Sequence, residues 1–477
     1  MISQPTFTQR VKSMKHKSTG KQISTVEITT DKITGRGGIP LILRYVEKIK
    51  FFHLIDNLVG QVWGSSKGKG SGFILRQVVA KMMDGSDLSI QGFDRLRQDE
   101  GYAAALEVNR EEMVSSHTVK RFFKKFFGTG YKVYRRVLLE LFVWRLVIMK
   151  PSVIVLDMDT MVLDNDDAQK REGVSVTYKN KKGYQPLQIS WEGKIVDAYF
   201  RRGSAHSNHG NDVKRILKEV VELIRKRYDK DVPIILTCDS GFMAEDNFEY
   251  FEKELKVHYI CNGKQYEAVK EAARQARRKG SETYTSSNAQ WEYNDFVSKL
   301  DSWAQERRTI YTRLVRKEKQ LLLDFARPDS VLYTNIGTEP KMTVQLKATG
   351  NTEYLKAEKI IELAHGRGKS ELTNRSFKEF IGREQLPFKN FGMNGAYYYM
   401  LVIAHFLCEC YKQDVGYEVV PVNSYATTLR RTLIDFAAKV VKEANRIKLL
   451  VTQAIWDRCK IEKIWALCNN PIALPEV

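Results

Sequence analysis

The sequence predicts an α/β protein with a mixed sheet flanked by helices, mainly because two short apolar segments each end in an aspartate. Residues 153–160 (VIVLDMDT) begin with apolar and β-branched residues, which favour a buried strand, and they include Asp157 and Asp159 near their end. Residues 232–242 repeat the pattern, because an apolar run closes on Asp239 and a Ser-Gly turn follows. Open α/β sheets place their functional sites at the carboxyl ends of strands, so we expect these carboxylates to converge.

Asp157 and Asp159 are predicted to point to the same face of their strand, because successive side chains alternate. Two like charges at the end of an apolar strand repel each other, and burial increases that cost. A bound Mg²⁺ relieves the repulsion, since hard cations prefer carboxylate oxygens. A polar strand end with a turn-forming aspartate explains this segment equally well on its own.

The composition indicates a folded protein with a polyanionic partner. The chain has 477 residues, of which 43% are hydrophobic, so sizeable cores are expected and global disorder is not. Its formal net charge is +20, from 77 lysines and arginines against 57 aspartates and glutamates. Such a balance most often serves nucleic acid, with a merely basic soluble protein as the alternative.

Neither a membrane nor an oxidising compartment is indicated. No apolar run approaches the length of a bilayer span, and residues 1–30 lack the apolar core of a secretion signal. The six cysteines are sparse and their spacing resembles no disulfide framework, which fits a reducing cytoplasm. Because His405, Cys408 and Cys410 lie in an apolar, helix-like run, we expect them to be structural rather than zinc ligands.

The N-terminal third of the chain is predicted to be helical. Residues 1–36 are polar and basic and suggest a flexible or DNA-contacting arm. Apolar residues recur at helical spacing in 40–63 and 73–83, on either side of a Gly- and Ser-rich linker at 64–72. A further apolar helix at 131–149 leads to the first strand.

Residues 115–127 (SSHTVKRFFKKFF) predict an amphipathic helix. Their Ser and Thr residues can cap its start, one side carries phenylalanines, and the other carries Lys120, Arg121, Lys124 and Lys125. The basic side is a candidate surface for DNA phosphates. A solvated basic face over a phenylalanine core explains the pattern nearly as well.

The elements around the two aspartates follow the order of a known architecture. Residues 185–200 are predicted to form a β-hairpin with a tight turn at Glu192-Gly193, and 211–228 an amphipathic helix. The second aspartate strand, an acidic helix and a strand at 257–261 come next. The order strand, hairpin, helix, strand, helix, strand, with the first three strands antiparallel, resembles the RNase H-like architecture.

A β-rich insertion is predicted after this region. Residues 308–315 and 321–325 alternate in the manner of strands around a Lys/Glu turn. From residue 351 onward the chain is predicted to be mostly helical. Three aromatic residues of the insertion could stack on bases, with core packing as the alternative: Trp291, Tyr293 and Trp303.

A third acidic residue lies in a helix predicted over 353–380 and kinked near its glycines. Arg367, Glu371, Arg375 and Lys378 are separated by four, four and three residues, so they share one helical face. Glu371 could bind a metal ion while the three bases hold a phosphate and its neighbours. An exposed face with helix ion pairs is the alternative for this segment alone.

Taken together, the chain resembles the DDE transposases of bacterial insertion sequences, in the branch with the pattern Y-x2-R-x3-E-x6-K. Arg367, Glu371 and Lys378 match the last three members at the right spacing. The tyrosine position is occupied by Ala364, and the adjacent His365 is a candidate substitute.

Five further segments are similar to the same group of transposases. Each one is short, but their order and spacing agree with the group from about residue 40 to 470. These segments are the opening strand with Asp157, Gly183 to Leu187, Arg202 to Ser204, Cys238 to Phe242, and Asn394 before an apolar helix.

The resemblance implies a mechanism and a set of site residues. Asp157, Asp239 and Glu371 would hold two Mg²⁺ ions, for which Mn²⁺ can substitute, with Asp159 as the rival for the first position. We expect Asp157 because it lies closer to the sheet. Arg367, Arg375 and Lys378 would contact phosphates. The enzyme would cut DNA at transposon ends and join the 3′-hydroxyl ends to target DNA.

The resemblance also implies a homodimer on DNA, in a bacterial cytoplasm and associated with the nucleoid when bound. Two alternatives remain open, a metal-dependent nuclease without strand transfer and a catalytically inactive DNA-binding relative. The expected organisation has five parts: an N-terminal helical DNA-binding region (1–150), the first part of the catalytic core (151–280), the β-rich insertion (281–350), the last part of the core with the catalytic glutamate (351–415), and a C-terminal helical region (416–477).

Overall fold

The structure is a computed structural model that describes most of the chain. Arg367 and most of the strand predicted at 321–325 lie outside the described residues, as does much of the predicted arm. The described residues are 25–64, 68–318, 320–321, 328–366, 368–444 and 446–475.

Helices dominate the N-terminal part, as predicted. Lys50, with a φ of 64°, separates two helices where the sequence predicted a single one over 40–63. Gly64 and Gly85 end the second and third helices in the left-handed conformation, which glycine adopts without steric cost. The elements are β1 (Lys32–Thr34), α1 (Ile39–Lys48), α2 (Phe51–Trp63), α3 (Ser71–Asp84), α4 (Gly92–Leu96), α5 (Glu100–Ala105), α6 (Ser116–Lys124) and α7 (Lys132–Met149).

The amphipathic helix predicted over 115–127 forms as α6. Ser115 caps it by accepting a hydrogen bond of 3.1 Å from the backbone amide of Thr118. Phe122 and Phe123 are fully buried, so the division into an apolar and a basic side is confirmed. Its contact with DNA stays a prediction. The exposed bases are Lys120, Arg121, Lys124 and Lys125.

The middle of the chain alternates strands and helices around the two aspartate segments. Both segments form strands, and the predicted hairpin and amphipathic helix lie between them. The elements are β2 (Ile154–Thr160), β3 (Leu163–Asp164), β4 (Ser175–Val176), β5 (Lys182–Tyr184), β6 (Leu187–Trp191), β7 (Lys194–Tyr199), α8 (Asp212–Arg227), β8 (Ile234–Cys238), α9 (Glu245–Glu249), β9 (His258–Asn262) and α10 (Glu267–Arg278).

Five of these strands form the core of the central sheet in the order β7-β6-β2-β8-β9. Strand β6 is antiparallel to both of its neighbours, β7 and β2. Strands β2, β8 and β9 run parallel to one another. This is the strand order of an RNase H-like fold, so the predicted fold class is confirmed. A smaller sheet of order β3-β5-β4 follows the end of β2.

The predicted β-rich insertion extends this same sheet instead of forming a separate layer. Its last strand pairs antiparallel with β9, and the others follow outward in the order β14-β12-β11-β10. The predicted strand at 308–315 lies within this set. The strands are β10 (Glu282–Thr285), β11 (Ala289–Ser298), β12 (Arg307–Lys317), β13 (Gln320–Leu321) and β14 (Asp329–Thr334).

Two of the three insertion aromatics serve the core. Tyr293 and Trp303 are only 2% and 5% exposed, and Trp303 packs against Tyr333 with ring centroids 4.8 Å apart. Base stacking by these two residues is therefore wrong for this structure. Trp291 is half-buried and packs against His365, with ring centroids 4.6 Å apart.

The remainder of the chain is mostly helical, as predicted up to residue 437, and a β-hairpin follows. The elements are α11 (Pro340–Ala348), α12 (Ala357–His365), α13 (Gly368–Ile381), α14 (Phe391–Tyr411), α15 (Ala426–Leu429), β15 (Ala438–Glu443), β16 (Arg446–Leu450), α16 (Gln453–Arg458) and α17 (Ile461–Asn469).

The hairpin β15–β16 corrects the prediction of a C-terminal helical region over residues 416–477, since the described part of this region contains both helices and strands. Strand β15 pairs with β16 on one side and with β1 on the other, so the two ends of the chain share one small sheet. Lys, Glu and Ala in this segment favour a helix, but pairing with a distant partner overrides local propensity.

Helix α14 passes through the core, as its apolar sequence predicts. His405, Cys408 and Cys410 are buried in it, and all six cysteines are buried, which agrees with a structural role. In the described part of the chain, no helix combines the length and the apolar character that crossing a bilayer requires.

Candidate active site

The register of the central sheet brings two aspartates level with each other. Strands β2 and β8 are parallel, with Asp157 opposite Thr237 and Met158 opposite Cys238. Continuing this register by one residue sets Asp159 level with Asp239, which directly follows the end of β8, while β2 stays paired with β6 as far as Thr160. Two aspartates are thus level at the carboxyl ends of neighbouring strands.

Asp157 lies one residue pair deeper in the sheet. One of its carboxylate oxygens accepts a hydrogen bond of 2.6 Å from the hydroxyl of Thr237 on β8. The register therefore favours Asp159 as the partner of Asp239, whereas the sequence analysis favoured Asp157. Asp157 and Asp159 point to the same face of β2, so alternation along this strand cannot show which of them is the first acid. The choice depends on how β8 pairs with β2.

The aspartates share one face of the sheet with the C-terminal helices. Val155, two residues before Asp157, packs against a cluster that includes Ile360 and Ile361 of α12. Because side chains alternate along β2, Asp157 and Asp159 lie on that same face. The chain passes from α12 into α13, the helix that carries Glu371.

Helix α13 contacts the aspartate site directly. The side-chain amide of Asn374 donates a hydrogen bond of 2.8 Å to a carboxylate oxygen of Asp159. Glu371 is exposed in the first turn of α13, three residues earlier and on the same side of the helix. The sequence analysis did not identify Asn374, although its spacing from Glu371 was an available signal.

The three acids do not close around one point. Among the described residues, no three His, Cys, Asp or Glu side chains lie close enough together to hold an ion. By the register Asp159 and Asp239 are level at the strand ends, and Glu371 lies one helical turn from Asn374, which contacts Asp159. Carboxylates are the donors that a hard divalent cation prefers.

The predicted phosphate-binding bases differ in their surroundings. Lys378 forms an ion pair of 2.8 Å with Glu384, whose carboxylate also accepts a hydrogen bond of 3.0 Å from the amide of Asp164. Arg375 is exposed, with its guanidinium carbon 5.5 Å from the ring centroid of Tyr425. His365 packs on the insertion, and burial lowers its pKa.

The second half of α13 is fixed to the core. The hydroxyl of Ser376 lies 3.1 Å from a ring nitrogen of His405 and donates to Glu409 at 3.4 Å. Arg430 donates to the carbonyl oxygen of Phe380 at 2.9 Å. These contacts join the end of the helix that is remote from Glu371 to α14 and to the segment that carries Arg430.

Asn394, part of the transposase-like pattern, has a structural role. It is fully buried and donates hydrogen bonds to the hydroxyl of Tyr184 at 2.8 Å and to the carbonyl oxygen of Phe388 at 2.7 Å. These bonds join the start of α14 to β5, so two of the transposase-like segments stabilise each other.

The fold and this site define a protein with an RNase H-like core and acidic residues at the carboxyl ends of its central strands. A family model described as the transposase DDE domain, group 1, matches residues 15–468. The chain belongs to this family of transposases, whose members generally use divalent metal ions.

Comparison with solved structures and curated proteins adds two findings. The chain is similar to piggyBac transposase in a cryo-electron microscopy structure of its synaptic complex with hairpin DNA. The two share 12% sequence identity with a TM-score of 0.39, over 83% of this chain and 79% of that one. No match was found among curated proteins.

Proposed function

We propose that this transposase binds transposon ends, cleaves phosphodiester bonds there and joins the 3′-hydroxyl ends to target DNA. Asp159, Asp239 and Glu371 would hold two Mg²⁺ ions, or Mn²⁺ in their place. The main support for this proposal is that the register sets Asp159 level with Asp239 at the ends of neighbouring strands. Helix α13 contacts the same face of the sheet through Asn374. Asp157 is the second choice for the first acid, because it lies one residue pair deeper in the sheet than Asp159.

Two bound divalent ions would supply an activated water and a stabilised leaving oxygen for in-line attack at phosphorus. Asp159 and Asp239 orient this centre from the rigid sheet. Glu371 would complete it from α13, the helix that contacts Asp159 through Asn374.

In this proposal the basic residues of the chain contact the phosphates of the DNA backbone. Arg367, Arg375 and Lys378 contact phosphates near the cut, and Lys378 exchanges Glu384 for a phosphate when DNA arrives. The exposed basic side of α6 holds DNA further away. The net charge of +20 supports a polyanionic substrate.

The active assembly is inferred to be a homodimer on DNA. A transposon has two ends, and joining both to one target needs two active sites held together. The organism would be a bacterium, and the protein would act in its cytoplasm on nucleoid DNA.

One experiment separates the proposal from its rival, a metal-dependent nuclease. A labelled duplex carrying the terminal inverted repeat that flanks the gene is offered uncut, to measure cleavage, and pre-cut with a free 3′-hydroxyl, to measure joining to a plasmid. Cleavage and joining in Mg²⁺ support a transposase with strand transfer. Cleavage without joining of the pre-cut end would establish the nuclease instead.

A further inference from the structure

A short loop extends beyond the end of the aspartate strand. It connects β4 to β5, and β5 pairs with β3, which follows β2 almost immediately. The amide of Thr177 donates to the carbonyl oxygen of Lys181 at 2.9 Å, and Asn180 adopts a φ of 55°. The loop over residues 177–181 is therefore a tight turn with a fixed shape.

The base of this loop is held by ion pairs. Lys181 lies 3.3 Å from a carboxylate oxygen of Asp164 and 3.4 Å from one of Asp166. Asp166 also accepts a hydrogen bond of 2.8 Å from the amide of Lys182. These contacts are made by exposed groups, so they position the loop more than they stabilise the fold.

Two side chains at the tip are left facing solvent. Tyr178 is 60% exposed, although its ring is large and mostly apolar. The ammonium of Lys179 lies 5.6 Å from the centroid of that ring, and Lys179 is exposed as well. A flat apolar surface with a cation beside it suits a nucleobase with its phosphate.

The same tip is tied to the segment that directly follows the aspartate strand. Strand β3 begins at Leu163, three residues after β2 ends at Thr160, and it pairs with β5, which the loop enters. Lys181, at the base of the loop, lies 3.3 Å from Asp164, five residues after Asp159. Burial raises the pKa of the Tyr178 hydroxyl and the charges of Asp159 and Asp239 raise it further, which agrees with a tip on the side of the candidate acids.

We propose that Tyr178 and Lys179 form a nucleotide-binding site next to the scissile phosphate, with the ring stacked on the adjacent base and the ammonium on the adjacent phosphate. This inference rests on the proposed function. A base that leaves its stack beside the cleaved phosphate needs a new partner, and an exposed aromatic ring supplies one. Lys179 also offsets the repulsion between phosphate and the aspartates.

The experiment is photocrosslinking with the full-length protein. The probe is the terminal-repeat duplex carrying 5-iodo-2′-deoxyuridine at the nucleotide beside the cleaved phosphate, bound in Ca²⁺ to hold back cleavage. Mass spectrometry of the irradiated complex should locate the adduct on Tyr178. An adduct confined to other residues would overturn the proposal.

Cleavage kinetics provide a second readout. Tyr178→Phe keeps the ring and should cleave within about twofold of wild type, whereas Tyr178→Ala should cleave about 5- to 150-fold more slowly, the range for one lost base–aromatic stack. Lys179→Gln should weaken the salt dependence of binding by about one phosphate contact. Tyr178 and Lys179 are both exposed, so all three variants should fold.

The chain offers a matched control. Tyr417 is 45% exposed, and the ammonium of Lys463 lies 5.7 Å from its ring centroid. This second tyrosine–lysine pair resembles Tyr178 and Lys179 but is not in the loop 177–181. Tyr417→Ala and Lys463→Gln should leave cleavage unchanged. Equal rates for Tyr178→Ala and wild type would overturn the proposal. If wild type cleaves no transposon end, the proposed function fails, while the position of the adduct still tests the nucleotide site.

Discussion

Asn374 on helix α13 donates a 2.8 Å hydrogen bond to Asp159 at the end of strand β2, two residues that are 215 positions apart in the sequence. This bond is the direct link between the sheet that carries two of the candidate acids and the helix that carries the third. It holds the Asp159 carboxylate in one orientation and keeps the first turn of α13 beside it. A partner of this kind acts on a metal ligand without being one.

Removal of that partner should therefore impair cleavage more than DNA binding. Asn374→Ala is expected to lower the cleavage rate in Mg²⁺ roughly 10- to 100-fold, the range for lost outer partners of metal ligands. Asn374→Asp should be worse, because it sets a second negative charge against Asp159. Gel shift and cleavage on one labelled transposon end measure both effects.

Leu372 is the control for this helix. It is 52% exposed on α13, so Leu372→Ala should change neither rate nor affinity. Equal cleavage by Asn374→Ala and wild type would mean that the contact with Asp159 does not matter for catalysis.

The three aspartates should differ in importance. Asp159→Asn and Asp239→Asn keep the shape of the side chain but remove a charge that a divalent cation needs, so cleavage should fall by more than roughly 100-fold. Asp157→Asn should cost less, since Asp157 lies one residue pair deeper in the sheet and is not level with Asp239. End binding should survive in all three variants, because it rests on lysines and arginines.

Isothermal titration with Mn²⁺, with DNA bound, provides the second measurement. Loss of Mn²⁺ binding in Asp159→Asn and its retention in Asp157→Asn would support the register argument. The reverse ranking would restore Asp157 as the first acid.

Lys378 should bind DNA more readily when its own partner is removed. Glu384→Gln breaks the 2.8 Å ion pair, and both side chains are about one-third exposed or less. Affinity should rise by less than about 1 kcal/mol, the usual worth of a solvent-accessible pair. Lys378→Ala should lower affinity and cleavage together. Fluorescence anisotropy with the labelled end measures the change, and a fall in affinity for Glu384→Gln would contradict a phosphate role for Lys378.

The basic side of α6 should contribute to the salt dependence of DNA binding. Each of Lys120→Ala and Lys124→Ala should reduce the slope of log affinity against log salt by about 0.9, the contribution of one phosphate contact. Lys253→Ala is a suitable control, since Lys253 is exposed but pairs with Glu249 at 2.9 Å. Unchanged slopes in both α6 variants would show that this side of the helix only faces solvent.

Buried histidines should make the protein sensitive to mild acid. Burial, followed by the charges of Lys412, Lys194 and Arg430, lowers the pKa of His405 from 6.5 to about 3. Below about pH 6.5 the unfolded chain therefore binds a proton at this position that the folded protein does not, so stability falls as the pH drops towards 3. At pH 5 the loss from this one group is about 2 kcal/mol.

Urea unfolding at pH 7 and pH 5 measures that loss. His405→Gln should remove about 2 kcal/mol of the difference between the two pH values, whatever it does to stability at pH 7. His209 is exposed, so His209→Gln should leave the difference unchanged. A pH dependence in His405→Gln equal to that of wild type would show that this group is not the source.

The sequence predicted the fold more completely than it predicted the site. Alternation placed Asp157 and Asp159 on one face, and the order of strands indicated the RNase H-like sheet. The choice between the two aspartates needed the register of β2 against β8, which is a property of two segments about 80 residues apart. Hairpin β15–β16 was missed for the same reason, because its sheet is completed by β1 from the other end of the chain.

The continuous sheet sets the distance between the candidate acids and its outermost strand. Five steps separate β8, which leads into Asp239, from the outermost strand β10, and strands are spaced about 4.8 Å apart, so the span is roughly 24 Å. Stacked base pairs advance about 3.4 Å each, so this width corresponds to about seven base pairs of duplex. Because the last three residues of β14 pair with the last three of β9, the insertion is continuous with the sheet that carries the acids, and DNA held at β10 would lie at a set distance from the cut.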